Sequence, residues 1–328
     1  MPPIGVAAAG AACISSSAVL MRLAGTSPSI TALGRCGLAL PVLGALAWAE
    51  RRRGAPRLPS RSRWLARLAG LFLAGDLITW SHAINAIGAG LGTVVPNLEV
   101  LIIALLAWLF LGERPRRSLV LASPFMLAGL VLVGGLAGVG GSRAYGSDPA
   151  LGVAYGVAVA VIYAIYIFTL RQATSSLGPR PAVAAVLFEA TVGATAASAV
   201  LGLVLNDYRL GSAPWPWPAL GWLALLALTS QVIGWLLITV SMPRLPAAMV
   251  GAVLLIQPAG SVGLSYLILG ERPSGLQLAG VALVLTGVLV AVGGGDPQSS
   301  RPASSRCSTK IIRQASDAST GMSPSKSP

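Results

Sequence analysis

Long apolar runs separated by short polar gaps fill most of the chain. Each run has about 20 residues, the length that a helix needs to cross the hydrocarbon core of a bilayer. The pattern predicts an all-α integral membrane protein with ten transmembrane helices, five on each side of a glycine-rich segment. The predicted spans cover residues 3–20, 29–49, 66–86, 89–111, 117–137, 151–170, 182–205, 219–240, 246–269 and 275–294.

The same pattern predicts four regions along the chain. A first repeat occupies 1–137, a connecting loop 138–150, a second repeat 151–295 and a tail 296–328. The tail is rich in serine and has no apolar period. We expect it to be disordered, because it buries too little apolar surface to offset the entropy of ordering.

Composition supports lipid as the solvent of this chain. Hydrophobic residues make up 55% of it and charged residues only 10%, whereas a soluble domain carries about a quarter charged residues. A soluble enzyme is therefore excluded. The net charge of +13 does not indicate nucleic acid, because the basic residues lie in gaps between apolar runs and not on one folded polar face.

Few residues are available for metal or nucleotide chemistry. Three cysteines without a Cys-x-x-Cys pair and a single histidine favour neither a disulfide framework nor a metal site. The first lysine is Lys310, so no Gly-Lys-Ser/Thr phosphate loop exists in the apolar region. We expect no cofactor and no enzymatic activity.

The basic residues predict the orientation of the chain. With a cytoplasmic N-terminus, 18 Lys and Arg residues lie inside and 4 outside, as the positive-inside rule requires. Both termini are then cytoplasmic. Arginine outnumbers lysine by 21 to 2, a composition typical of a GC-rich bacterial genome, which suggests the cell membrane as the location.

One short block occurs twice. Leu-Gly-Glu-Arg-Pro stands at 111–115 and again at 269–273, an offset of 158 residues, and each copy closes the fourth predicted span of its half. Because each half has an odd number of spans, the two copies cross the membrane in opposite orientations. Inverted repeats of this kind are typical of secondary transporters, whose substrate sites lie near the midplane between the repeats.

With these two blocks, the chain resembles the EamA type of the drug/metabolite transporter superfamily over residues 3–294. The resemblance implies ten helices, alternating access and a central cavity lined mainly by the first four helices of each half. It also places a proline 13 residues before the glutamate of each block. The second half has Pro258 there, but the first half has Val100, with Pro96 one turn earlier. We therefore expect a displaced bend in the fourth helix.

Four charged residues lie within predicted spans, namely Arg35, Asp76, Glu99 and Glu189. Such residues usually face a protein interior or a water-filled cavity. Under the offset of 158 residues Glu99 corresponds to Gln257, which favours a substrate or proton site at the repeat interface. The alternative is that Glu99 is a fixed partner of Arg35. One cation faces three acids, which leaves a net charge of −2 if all ionise. Proton uptake by an acid or a positively charged substrate relieves this charge.

Each of the remaining candidate residues has a functional and a structural interpretation. Asp76 and Trp80 share a helix face, where they either receive a cationic or aromatic ligand or join helices. Arg35 either neutralises an acid or binds a carboxylate substrate, and Glu189 lies nearer the inner face. The other polar and aromatic positions either line a cavity or pack in the core; they are His82, Asn85, Tyr163, Tyr166, Gln231 and Trp235.

These features favour a secondary active transporter that exports or exchanges a small metabolite or drug, with proton coupling through an intramembrane acid. The alternative is an integral-membrane lipid-modifying enzyme, which the almost wholly basic inner loops disfavour, because such an enzyme needs a polar and often acidic cluster. The expected partners are a small solute and the lipid bilayer, with no nucleic acid. A homodimer stays open, and so does the identity of the solute.

Overall fold

The computed structural model describes residues 2–111, 117–134, 148–175, 182–208, 217–241, 244–245 and 247–293, and within these ranges it contains helices and no strand. In chain order the α-helices are α1 Pro3–Ser15, α2 Ser17–Ala24, α3 Pro28–Arg52, α4 Ser60–Ile87, α5 Ala89–Val94, α6 Glu99–Leu111, α7 Arg117–Val133, α8 Pro149–Ser175, α9 Val183–Val204, α10 Trp217–Leu226, α11 Trp235–Ser241, α12 Ala247–Leu254, α13 Ile256–Leu264 and α14 Gly275–Gly293. A 3₁₀ turn at Val95–Leu98 joins α5 to α6, and π-helical segments follow α10 and α13 at Ala227–Gly234 and Ser265–Leu269.

Helices dominate because a lipid environment offers no partner for backbone N–H and C=O groups, which must therefore bond within each segment. Seven helical stretches in the described ranges are long and apolar enough to cross a bilayer, and three of them, Pro3–Ala24, Trp217–Ser241 and Ala252–Leu269, join neighbouring segments. The 28-residue helix α4 is long enough but is not among the seven. Its side chains Asp76, His82 and Asn85 lower its mean hydropathy. The structure is thus that of a multi-pass membrane protein.

The predicted spans correspond to helices, but four of them are broken. The runs at 29–49, 182–205 and 275–294 match α3, α9 and α14, whereas the run at 66–86 lies within the longer α4. The first, fourth, eighth and ninth runs each contain two or three helical segments, namely α1–α2, α5–α6 with its 3₁₀ turn, α10–α11 with its π segment, and α12–α13 with its π segment. Most of the predicted connecting loop, the whole tail 296–328 and the first Gly-Glu-Arg-Pro block lie outside the described residues.

The expected displacement of the bend in the fourth run was wrong. That run is irregular over Val95–Leu98, and the ninth run breaks at Leu255. Under the repeat offset of 158 residues, Leu255 corresponds to Asn97, which lies inside Val95–Leu98. Both breaks precede or include the proline, Pro96 or Pro258. Proline has no backbone N–H, and the first turn of a helix after a break does not use its N–H groups in intrahelical bonds. A proline is therefore tolerated at more than one position in that turn.

Side chains bond the carbonyls that two helix prolines leave free. Pro96 has no N–H for the carbonyl oxygen of Gly92, and the indole Nε1 of Trp80 donates to that oxygen instead, at 3.0 Å. In α7, the hydroxyl of Ser123 donates to the carbonyl oxygen of Val120 at 2.9 Å, four residues before Pro124. Such substitutions explain why prolines occur within these membrane helices.

Two carboxylates, the buried Glu271 and the half-buried Glu50, cap helices that lie far away in the sequence. Glu271, in the second Gly-Glu-Arg-Pro block, accepts hydrogen bonds from the backbone N–H groups of Ala89 and Gly90 at 2.8 and 3.1 Å, where α5 begins. Glu50 likewise accepts from Ala184 and Ala185 at 3.0 and 3.2 Å, where α9 begins. A negative charge is favourable at a helix N-terminus, so both acids join the two halves of the chain.

Candidate functional site

A cavity of ≈ 180 Å³ lies among helices from both halves of the chain. Seven of the twelve candidate residues from the sequence line it. They are Arg35 on α3, Asp76 and Trp80 on α4, Glu99 on α6, Tyr163 on α8, Trp235 on α11 and Gln257 on α13. The rest of the wall is mostly aliphatic and includes Leu73, Leu77 and Val159. The cavity is therefore an apolar space with a few polar groups, as is usual for small-molecule sites.

Neutral residues of the second half hold Arg35 in place. Its Nε donates to Oε1 of Gln231 at 3.0 Å, and its Nη2 donates to Oγ of Ser230 at 3.1 Å. Ser17 of α2 also donates to Ser230, at 2.7 Å. Ser230 and Gln231 both lie in the π-helical segment Ala227–Gly234. Departures into π geometry are frequent at functional sites, and this eight-residue segment positions the anchors of the guanidinium.

Two charged side chains in the cavity wall have unsatisfied atoms. Arg35 is 4% exposed and Asp76 is 6% exposed. Within the described residues, Nη1 of Arg35 and Oδ1 of Asp76 have no hydrogen-bond partner. Leaving a buried charged group unpaired is costly. The cavity therefore presents one donor and one acceptor that a ligand or water would satisfy.

One of the two hypotheses from the sequence paired Arg35 with an intramembrane acid, and among the described residues no ion pair within 4.0 Å involves Arg35. In the described part of the chain, the ion pair within 4.0 Å joins Nε of Arg67 to Oε2 of Glu189, at 2.7 Å. Glu189 lies outside the cavity lining, so its charge is balanced elsewhere. The predicted excess of two negative charges thus becomes one within the cavity, where Asp76 and Glu99 face Arg35.

Glu99 stands at the first position of α6, directly after the 3₁₀ turn. The positive end of a helix dipole favours a carboxylate there. In the turn before it, Nδ2 of Asn97 donates to the carbonyl oxygens of Thr93 and Val94, at 2.9 and 3.0 Å. The break in the fourth run therefore places an acid at a helix N-terminus beside the cavity.

Aromatic rings form part of the wall. Trp80, Tyr163 and Trp235 line the cavity, and the buried ring of Tyr166 packs behind them. The Tyr166 centroid lies 5.6 Å from that of Tyr163 and 6.5 Å from that of Trp235, with the latter pair edge to face. Tyr166 thus supports the aromatic wall and does not itself line the cavity.

Four more candidates have other surroundings. His82 stacks on Tyr155 with ring centroids 5.3 Å apart. Asn85 accepts a long hydrogen bond from Arg22 at 3.5 Å. Glu189 pairs with Arg67, and Gln231 anchors Arg35 from behind the cavity wall. These contacts agree with the interpretation that the four residues pack or pair within the protein and do not line the cavity.

Several residues at the site had no place in the sequence-based set. Thr93, Pro96 and Asn97 line the cavity, and their spacing places them on one helix face, which gives a signal in retrospect. Ser17 and Ser230 carry no such signal, because serines are common in membrane helices. Within the described ranges, no three His, Cys, Asp or Glu side chains come together as a metal site requires.

Comparisons with known proteins agree with this architecture. A family model described as the EamA-like transporter family matches residues 1–135 and 150–293. One crystal structure of another protein is similar, with a TM-score of 0.54 and 23% sequence identity, over 88% of this chain and 96% of that one. Among curated proteins, none matches. The match to the family model covers both halves and most of the sequence, and the chain therefore belongs to the EamA-like transporter family.

Proposed function

We propose that this chain is a secondary active transporter that moves a small organic solute through the ≈ 180 Å³ cavity by alternating access. The observation that carries the proposal is the cavity itself. It lies at the junction of both halves, it is enclosed largely by apolar side chains, and it contains buried charged groups with unsatisfied atoms. A purely structural core would not retain such groups, because they lower stability.

The architecture proposed for this mechanism is a pair of inverted repeats with ten spans, covering residues 1–137 and 151–295. Two observations support it. Leu-Gly-Glu-Arg-Pro recurs at an offset of 158 residues, and the helix breaks at Val95–Leu98 and Leu255 correspond under the same offset. Broken helices near the midplane are typical of inverted-repeat carriers. The distribution of basic residues supports a location in the cell membrane with both termini in the cytoplasm.

The charges of the cavity support a solute with two kinds of polar group. Asp76 and Glu99 favour a cationic group, and the free Nη1 of Arg35 favours an acceptor or a carboxylate. The aromatic wall formed by Trp80, Tyr163 and Trp235 offers faces for a cation or an aromatic ring. The cavity volume restricts the solute to a small molecule.

Export or exchange with protons is the coupling that we propose. With Asp76, Glu99 and Arg35 all ionised, the empty cavity would hold a net charge of −1, which is unfavourable in low dielectric. Either a proton or a cationic group of the solute relieves this charge. Competition between the two for the same acids would couple solute movement to proton movement.

Counterflow in liposomes tests the transport proposal. The purified chain is first screened by thermal shift against amino acids, organic cations and drugs, since a ligand that binds the folded form raises its melting temperature. Liposomes loaded with the unlabelled hit should then accumulate the labelled compound. Turnover of lipid without movement of any solute would instead support the membrane-enzyme alternative and overturn the proposal.

Labelling of single introduced cysteines tests the inverted repeat separately. The two Leu-Gly-Glu-Arg-Pro blocks should react with an impermeant reagent from opposite sides of the membrane. The intramembrane Cys13 and Cys36 and the tail Cys307 are replaced by serine first. Reaction of both blocks from the same side would exclude opposite orientations.

A further inference from the structure

A second cavity, with a volume of ≈ 360 Å³, lies where α3 ends and where α4 and α9 begin. We name it the arginine pocket and define it by Trp48, Arg51, Arg57, Leu58, Arg63 and Phe188, which line it. It is twice as large as the central cavity and shares no lining residue with it. The transport mechanism proposed above does not use it.

The arginine pocket carries uncompensated positive charge. Arg51, Arg57 and Arg63 all line it. Glu189 also lines the pocket, but this acid pairs with Arg67 outside the lining, and the nearby Glu50 caps α9. In the described part of the chain, none of the three lining arginines forms an ion pair within 4.0 Å. The pocket therefore attracts an anion.

An amphiphilic surface surrounds the charges. Trp48 and Phe188 supply aromatic faces to the pocket, and the guanidinium of Arg52 lies 3.7 Å above the Trp48 ring. Trp48 is 55% exposed, and Trp64 in the first turns of α4 is 63% exposed, as expected for tryptophans at a membrane–water interface. From Trp48 the exposed apolar surface of α3 continues into the span through Val42 and Leu38. A ligand in the pocket thus meets charge at one end and hydrocarbon at the other.

We propose that the arginine pocket binds the headgroup of an anionic phospholipid. The phosphate lies against Arg51, Arg57 and Arg63, and an acyl chain follows the exposed surface of α3. Basic pockets between membrane helices bind lipid headgroups in this way. A free phosphate would use the same arginines, but it would gain nothing from the apolar surface that begins at Trp48.

The position of the pocket gives the lipid a role in holding the two halves together. Its wall combines α3 and α4 of the first half with α9 of the second half. The Arg67–Glu189 ion pair and the Glu50 cap bridge the same two halves beside it. A bound lipid therefore stabilises the contact between the halves at this end of the protein.

Lipid selectivity of the purified full-length chain tests the proposal without any transport assay. Native mass spectrometry and thermal unfolding compare phosphatidylglycerol, phosphatidylcholine with the same acyl chains, and glycerol phosphate. We expect phosphatidylglycerol to be retained and to raise the melting temperature, whereas the other two compounds have little effect. No preference for phosphatidylglycerol over phosphatidylcholine would overturn the proposal. Glycerol phosphate binding as tightly as the lipid would reassign the pocket to a soluble anion.

A matched pair of double variants locates the site. Arg57→Gln with Arg63→Gln removes two lining charges, and Arg53→Gln with Arg61→Gln removes two exposed charges from the same segment that do not line the pocket. We expect binding of phosphatidylglycerol to weaken by ~tenfold or more in the first variant, since each arginine contributes about a factor of five. The second variant should stay within about threefold of the parent. Equal losses would show general surface attraction and exclude the pocket.

Selectivity of the unmodified chain keeps the test decisive if a variant misfolds. A further variant, Arg57→Lys with Arg63→Lys, retains both charges but loses the bidentate geometry that guanidinium offers to phosphate. We expect intermediate binding from it. Because every readout is lipid binding, failure of this proposal leaves the carrier proposal standing, and the reverse also holds.

Discussion

The two walls of the central cavity differ in charge, although each half of the chain is one copy of the same repeat. The first half contributes Arg35, Asp76 and Glu99, whereas the second half contributes Tyr163, Trp235 and Gln257. The three charged side chains of the wall therefore all come from one copy. The second copy contributes neutral groups, two of which are aromatic.

The pair at corresponding positions shows how the copies diverged. Glu99 and Gln257 stand 158 residues apart, each at the helix break of its half, and both line the cavity. Asp76 and Glu99 already face the cavity, so a third carboxylate at position 257 would add to the repulsion between acids in low dielectric. A glutamine keeps the hydrogen-bonding groups without the charge. The two copies thus share the positions of the helix breaks at the cavity, and their side chains give the two walls different charges.

The second half nevertheless controls the charge of the first. Arg35 is held by Ser230 and Gln231, which belong to the π-helical segment of the second half. Any motion of this segment relative to α3 moves the guanidinium or breaks these bonds. A rocking motion between the halves would therefore change how Arg35 meets a ligand.

Removing charge from the first wall should have the largest effect. Asp76→Asn or Arg35→Gln is expected to weaken solute binding by ~10–100-fold, since a hydrogen bond to a charged group contributes about 1.5–3 kcal/mol and about 1.4 kcal/mol corresponds to a factor of ten. Gln257→Leu, on the second wall, should weaken binding by less than about tenfold. Ligand-induced thermal shifts and counterflow rates measure the difference.

Arg35→Lys is the control for this comparison. It keeps a positive charge but lacks the fork that bonds Gln231 and Ser230 together, so its effect should be nearly as large as that of Arg35→Gln. Losses of equal size in Gln257→Leu and Asp76→Asn would show that charge does not distinguish the two walls.

Moving the acid from one wall to the other should have a smaller effect. If the proposed coupling holds, Glu99→Gln is expected to flatten the pH dependence of counterflow, because it removes a carboxyl that would exchange the proton, and to slow transport by about tenfold. Glu99→Gln combined with Gln257→Glu returns one acid to the cavity at the corresponding position. We expect the double variant to regain part of the pH dependence. Initial rates measured from acidic to alkaline pH provide the test.

Unchanged pH dependence in Glu99→Gln would assign proton exchange to Asp76 alone. An Asp76→Asn variant measured under the same conditions completes the set. If neither substitution alters the pH profile, the proposed competition between proton and solute is excluded, although solute transport itself is not.

The sequence predicted the helical spans and the repeat more fully than it predicted the site. Apolar length and the recurrence of Leu-Gly-Glu-Arg-Pro depend on local residues, so they can be read directly. The partners of Arg35 cannot be read from the sequence in this way. Charge balance favours an acid as the partner, whereas the observed partners are Ser230 and Gln231, which a π-helical segment brings to the guanidinium. Glu189 likewise pairs with Arg67, 122 residues away, and no spacing rule indicates that contact.

The two tryptophans of the cavity provide the finest comparison of the walls. Trp80→Phe removes the donor that serves the Gly92 carbonyl beside Pro96, and an unsatisfied buried acceptor costs about 1–3 kcal/mol. Trp235→Phe keeps an aromatic ring against Tyr166, whose edge-to-face contact contributes only about 0.5–1.5 kcal/mol. Thermal unfolding of the ligand-free protein in detergent should therefore show the larger decrease for Trp80→Phe. The exposed Trp64→Phe serves as the baseline, and a decrease in Trp235→Phe that equals that of Trp80→Phe would mean that the carbonyl freed by Pro96 finds another donor.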